Sequence, residues 1–237
     1  MSMHCSTILR IINNKICGGE VVEIRTHLHE TLHLPLEILT PSLLETVELR
    51  TLKKGDLLIR QGECQEHVYF LVSGILRGFF LDAAGQEVTD CFAFRSGTPA
   101  MPGPDLNIPA PISIEALTDA TALCVPAAEV LKAMGNSMAC LQCAYGLLMA
   151  SAQTHWELKM ARYRYDARQR YLWFLSAYPG LIQKVSNKYV ASFLGMNPST
   201  LSRQKAALRN EKREKQREKS GTDDPQLFSA VFDPTKG

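Results

Sequence analysis

The sequence predicts an α+β chain in three parts: an N-terminal antiparallel β barrel, a long central helix and a C-terminal helix-turn-helix. Three observations predict it. From about residue 48 to 125, short runs rich in Val, Ile, Phe and Tyr are separated by glycine turns. Beyond Pro126, apolar residues recur at alternating spacings of four and three. Beyond Tyr163, two short helical patterns flank the tripeptide Gly195-Met196-Asn197. The expected boundaries are 21–130 for the barrel, 131–162 for the central helix and 163–237 for the helix-turn-helix domain with a charged tail.

The barrel strands are carried by LLIRQGE, HVYFLVSGILRGFFLD and EVTDCFAF. Gly74 and the segment from Asp82 to Gly85 fall between β-rich runs, where a tight reversal is needed, and are read as hairpin turns. Prolines at 99, 102, 104, 109 and 111 remove backbone donors, so 97–111 is expected to be a loop. ISIEALTDATALCV is read as one final strand.

Met134, Met138, Leu141, Tyr145, Leu148, Ala152 and His155 form a heptad seam on the central helix. Two arrangements satisfy such a seam: pairing with a second copy, or packing on the chain's own barrel. The homodimer is the reading adopted. After the helix, arginines and aromatics alternate through RYRYDARQRYLWFLSAYPG until the break at Pro179-Gly180.

In VSNKYVASFLGMNPSTLSRQKAAL, Val190, Phe193 and Leu194 make the apolar face of a short helix, and Gly195 can adopt the left-handed conformation that ends it. Asn197 suits an N-cap and Pro198 the first helical position, so a second helix should open there and bury Leu201 and Leu208. Such a pair is a helix-turn-helix, whose second helix enters the DNA major groove. Ser199, Ser202 and Arg203 are then the base readers. A guanidinium can donate two parallel bonds to guanine. Lys184, Lys188, Thr200 and Lys205 are assigned to phosphates, and double-stranded DNA is the partner. The following RNEKREKQREK alternates in sign as a solvated helix does, whereas SGTDDPQLFSAVFDPTKG does not continue it and receives no role.

With LRTLKKGDLLIRQGE, VYFLVSGILRGFF, SIEALTDATAL and ASFLGMNPSTLSR in this order, the chain resembles the cyclic-AMP receptor protein and fumarate-nitrate regulator (Crp/Fnr) superfamily over roughly residues 25–210. The resemblance implies a cyclic-nucleotide-binding-like barrel (a double-stranded β helix), a dimerisation helix and a winged-helix-like DNA-binding domain. It implies a homodimeric, effector-responsive bacterial transcription regulator on a pseudo-palindromic site, with RNA polymerase as a further partner to consider, and puts Ser199 and Arg203 at base-contacting positions. The chain departs from the family's nucleotide-binding members at the phosphate loop. FRSGTPAMPGPDLNIPAPISIEAL lacks their Gly-Glu and Arg-Ser or Arg-Thr pairs, and Ala110 or Pro111 stands where the arginine is expected. Cyclic AMP is therefore not expected as effector, and Arg95 is read as a solvated loop residue. The effector pocket is not assigned to residues.

Seven cysteines are scattered at 5, 17, 64, 91, 124, 140 and 143, and only Cys5 and Cys17 lie near the N-terminus, so an iron–sulfur cluster is not expected. Haem has no support either. Cys140-x-x-Cys143 is read as buried structural thiols rather than a redox pair, and His27, His29 and His33 as surface residues with no matching ligands, so no metal is expected. The net charge of +2 decides nothing about nucleic acid, because the basic residues are clustered rather than spread. No secretory signal or membrane-length apolar run is present, which points to the cytoplasm and away from membranes. No phosphate loop, nucleophile elbow or zinc pair suggests an enzyme. The alternative kept is a ligand-binding β-barrel module without DNA binding.

Overall fold

The computed structural model describes residues 41–221 and His29. Residues 41–46 form helix α1 (Pro41–Thr46), which buries Leu44 against Val68, Phe70 and Leu123. Seven antiparallel strands follow: β1 (Glu48–Leu52), β2 (Leu57–Ile59), β3 (His67–Ser73), β4 (Leu76–Leu81), β5 (Glu87–Ala93), β6 (Ser113–Ala116) and β7 (Ala120–Pro126). They make two sheets, β1-β7-β3 and β2-β6-β4-β5, with Leu52, Leu58, Tyr69, Leu71, Leu76 and Ile114 in the core between them. Strands β3 and β7 are buried along nearly their whole length, so they read as continuous apolar runs between turn residues.

The expected turns form as predicted. Gly74 has φ +92°, and a Cβ there would lie 2.5 Å from the Asp119 carbonyl oxygen. Asp82 Oδ1 accepts from the amides of Ala84 and Gln86 at 2.9 Å, closing the β4–β5 hairpin. The stretch 97–111 is a loop, tied down by buried Gln65, whose side-chain amide donates to the carbonyls of Asp105 (2.7 Å) and Ile108 (2.9 Å).

One expectation is corrected. ISIEALTDATALCV is two strands, not one: β6 lies in the four-stranded sheet and β7 in the three-stranded sheet. Thr118-Asp119 breaks the run because both side chains are used in a corner. Thr118 Oγ1 accepts from the Ile75 amide at 3.0 Å, and Asp119 accepts from Lys53 Nζ at 2.8 Å and the Lys54 amide at 3.1 Å. Switching sheets at this corner joins the two halves of the barrel.

Beyond the barrel come α2 (Ala127–Asn136), α3 (Met138–Arg164), α4 (Ala167–Ala177), a single 3-10 turn, α5 (Asn187–Phe193) and α6 (Pro198–Gly221). Ser137 separates α2 from α3: its amide donates to the Ala133 carbonyl, and its hydroxyl accepts from the Cys140 amide at 3.3 Å. Asp166 and Gln169 form a capping box that starts α4. Val190, Phe193, Leu194 and Leu201 are buried as expected, and they share one core with Phe174, Tyr178 and Leu181. Ile75, Phe92 and Leu117 of the barrel belong to the same core. The C-terminal helices are thus packed directly on the β4–β5 side of the barrel. Among the described residues no strand follows α6, so no wing hairpin is seen beside the helix pair.

Candidate DNA interface and effector cavity

Helix α5 is capped by Ser186, whose hydroxyl accepts from the Lys188 amide at 3.3 Å, and it ends at Gly195, which has φ +62°. A β-carbon at that φ is disfavoured, so glycine is the residue that lets the chain turn here. Two arginines then occupy the carbonyls at the end of α5. Arg162, near the end of α3, donates from Nε (3.0 Å) and Nη2 (2.6 Å) to the Phe193 oxygen. Arg170 of α4 donates from Nη1 to the Leu194 (2.9 Å) and Gly195 (3.0 Å) oxygens. Cations at a helix C-terminus satisfy both the free carbonyls and the helix dipole. The sequence reading missed both, although they stand in the RYRYDARQR run it singled out.

On α6, Leu201 is fully buried, while Ser199, Ser202 and Arg203 are exposed on the opposite side. Arg203 Nη2 approaches Thr200 Oγ1 at 3.3 Å, one turn back, and Thr200 is half-buried. Lys184 and Lys188 are exposed. Lys205 is engaged within the protein: its Nζ donates to Asn187 Oδ1 at 3.0 Å, linking α6 to α5. RNEKREKQREK continues α6, and an Arg168–Glu211 ion pair ties the helix to α4.

Of the seam residues, Met138, Leu141, Tyr145, Leu148 and Ala152 stand exposed along one side of α3, with Tyr145 62% accessible. Met134 lies on α2, across the Ser137 break, so it is not continuous with them. Cys143 and Leu147 pack on the barrel core, Leu141, Tyr145, Leu148 and Ala152 also border the cavity between α3 and the barrel, and burial raises the Cys140 and Cys143 thiols above their ordinary range, holding them protonated. His29 is exposed, while His27, His33, Cys5 and Cys17 lie outside the described residues.

Between the barrel, the 97–111 loop and α3 is a cavity of about 1110 Å³. Its wall is mainly apolar, with Phe70, Ile114, Leu123, Leu147 and Trp173 among the lining residues. Its polar members include Asp90, Arg95, Asp105, Asn107, His155 and Glu157. His155 Nε2 and Asp90 Oδ2 meet at 3.2 Å, His155 Nδ1 lies 2.9 Å from the Ser151 carbonyl oxygen, and the Asp90 contact holds the imidazole pKa up at about 8. Beside them, burial pushes the Cys91 thiol up to about 12. Arg95 is exposed at the rim, 5.1 Å from the Phe94 ring. Ala110 is packed into the barrel core and Pro111 lines the cavity next to it, so neither position presents a cation. No helix among the described residues is long and apolar enough to cross a membrane.

Residues 49–137 match the family described as the cyclic nucleotide-binding domain. No curated protein matches the chain. Solved structures do. FixK2 from Bradyrhizobium japonicum superposes with a TM-score of 0.63 at 18% identity, covering 70% of this chain and 85% of that one. A structure assigned to the Crp/Fnr family of transcriptional regulators, from Eubacterium rectale, gives 0.57 at 18%, covering 71% and 81%. The global regulator CLP from Xanthomonas campestris, described as responsive to c-di-GMP, gives 0.56 at 12%, covering 71% and 89%. At these identities the likeness is one of fold.

Proposed function

We propose that this chain, whose residues 49–137 match the cyclic nucleotide-binding domain and whose fold is similar to that of FixK2 and a Crp/Fnr-family regulator, is an effector-responsive transcription regulator that binds a pseudo-palindromic DNA site as a homodimer. The observation that carries this reading is the two-sided character of α6. Leu201 is sealed into the core, while Ser199, Ser202 and Arg203 are left facing out near the helix start. A helix held by its apolar side and exposing a polar side at its N-terminal turns is what major-groove reading requires.

In this reading Arg203 leaves Thr200 and donates two bonds to a guanine, with Ser199 and Ser202 beside it. Lys184, Lys188 and Thr200 take phosphates. Lys205 joins them only by giving up Asn187, so it contributes less. The exposed Arg209, Lys212 and Arg213 further along α6 add backbone contacts. Met138, Leu141, Tyr145, Leu148 and Ala152 meet the same residues of a second copy, and Met134 contributes from α2. The working division remains 21–130, 131–162 and 163–237.

The effector occupies the cavity beside α3 and is not cyclic AMP. A cyclic phosphate needs a charge-assisted donor; the loop offers Ala110 and Pro111 where the family's arginine is expected, and of the cavity's own cations Arg95 stands at the rim and His155 is engaged with Asp90.

The test is a fluorescence-anisotropy titration against DNA from upstream of the chain's own gene at several salt concentrations. Arg203→Ala should lose about 1–3 kcal/mol of preference for the specific site while keeping most of the salt-dependent component. Equal weakening on specific and random duplexes removes Arg203 as a base reader.

A further inference from the structure

Strand β5 is bonded in two directions at once. The Asp90 carboxylate reaches into the cavity to His155 at 3.2 Å. The amide of Thr89, one residue earlier, donates to Ser192 Oγ of α5 at 2.9 Å. Two residues beyond Asp90 stands Phe92, whose ring lies 5.2 Å from Phe193 of α5 and 6.4 Å from both Phe174 and Tyr178. Phe92 is buried, and with Trp173 and Tyr178 it also lines the cavity. Trp173 in turn stacks on Phe193, at 6.4 Å and 14°. One aromatic cluster therefore forms the cavity wall on one side and the seat of the DNA-reading helix pair on the other.

Resting on the reading of this cavity as the effector site, we propose that Phe92 is the residue through which an occupied cavity sets the pose of α5 and α6, with the Thr89–Ser192 bond holding β5 and α5 in step. Packed aromatic interiors do not deform continuously. A molecule pressing on the cavity face of Phe92 must either displace Phe193 or be resisted by it. The coupling is reciprocal, so DNA held by α6 changes the affinity of whatever fills the cavity.

Trp173 makes the coupling measurable. In a Trp156→Phe background it is the one remaining tryptophan, and it transfers excitation to 1-anilinonaphthalene-8-sulfonate, an anionic aromatic probe of apolar sites, bound in the cavity. The probe is titrated into the full chain with and without a saturating random duplex of about 30 base pairs, long enough for two half-sites a helical turn apart. Anisotropy of the labelled duplex reports DNA binding separately.

The duplex is expected to change the probe's dissociation constant by about 5-fold or more, within the usual range of allosteric coupling. Phe92→Leu should cut that change to less than about 2-fold. Ser192→Ala, which alters no residue of the cavity wall, should reduce it as well. An undiminished shift in both variants overturns the proposal, as does a parent whose probe affinity ignores DNA. Loss of the shift only together with loss of DNA binding assigns Phe92 a structural role and also overturns it. Exclusion of the probe from the folded chain sinks the cavity reading itself, and failure of the duplex to bind sinks the regulator reading.

Discussion

Replacing Arg77 by Met keeps most of the side chain's length and removes its charge. Arg77 is 1% exposed on β4 and is the largest fully buried side chain among the described residues. Its Nε donates to Thr89 Oγ1 at 2.9 Å, and its Nη1 donates to Glu87 Oε2 (2.9 Å) and Glu115 Oε1 (2.6 Å). Its guanidinium carbon lies 4.5 Å from the Phe79 ring centroid and 4.0 Å from that of Tyr189, so it also joins the barrel to α5. Each charged hydrogen bond contributes about 1.5–3 kcal/mol net, but desolvating a buried cation costs several kcal/mol in return. The three bonds therefore cannot be added. What decides the outcome is the group left behind. The Glu115 side chain is only 15% exposed and would lose its cation. Breaking one partner of such a pair costs about 3–5 kcal/mol, and partial hydration of Glu115 puts the expectation near about 3. For a chain of this size that is a fall of roughly 6–12 °C in Tm. Because heating can be irreversible, the urea midpoint is the better measurement. Arg77→Met/Glu115→Leu, which removes both charges, should recover part of the loss. A single variant within about 1 kcal/mol of the parent, or a double variant as unstable as the two singles summed, would refute the account of Arg77 as a paired buried cation.

The Asp90–His155 contact makes stability depend on pH. The folded imidazole pKa is raised from 6.5 to about 8, so the contribution is complete below about 6.5 and disappears as pH rises through about 8. The imidazole is about half exposed, and solvent screening holds the amplitude to about 0.5 kcal/mol. His155→Asn should flatten urea midpoints between those pH values; an unchanged slope excludes the pair as its source. On α3, Tyr145→Lys should weaken dimerisation by at least about 10-fold, equivalent to 1.4 kcal/mol. Sedimentation equilibrium reads this directly, and an unaltered monomer–dimer balance would mean that the seam does not pair copies.

Much of this organisation is written locally. Strands of the barrel show in the apolar runs VYFLV and GFFL between glycine turns, the 97–111 loop in its prolines, and the helix pair in Val190, Phe193, Gly195, Pro198 and Leu201. Two local signals were present and unread: Asn136-Ser137, which stops α2 and caps α3, and Asp166 with Gln169, which opens α4. Arg77 is a different case. In GILRGFF a lone arginine reads as an outward-facing residue, and its burial depends on Glu87, ten positions on, and Glu115, thirty-eight positions on. The junction of barrel and helix pair is less local still, since Thr89 and Ser192 are 103 positions apart. Phe92 and Phe193 each look like ordinary core residues of their own segments. Period and propensity cannot say that two apolar faces share a single core.

That shared core restricts how the α5–α6 pair can move. Besides the Arg77–Tyr189 contact and the Arg168–Glu211 ion pair, four joints hold it. Arg162 grips Phe193 from α3, Arg170 grips Leu194 and Gly195 from α4, Lys205 ties α6 to α5, and Thr89 with Phe92 seats α5 on β5. The Lys205 bond moves with the pair and restrains nothing between domains. Both arginine joints are charge-assisted, at about 1.5–3 kcal/mol each, whereas the Thr89–Ser192 bond is neutral and worth about 0.5–1.5. Burial of Phe92 adds about 1.5–3 kcal/mol to the β5 side, and Phe92 also lines the cavity, where an entering molecule would touch it. The arginine grips have no such competitor, because none of the atoms they use lines the cavity. The joint open to an effector is therefore the one on β5. A reorientation driven from the cavity would lift α5 off the strand and turn it about the end of α3 at Arg162, carrying α6 with it.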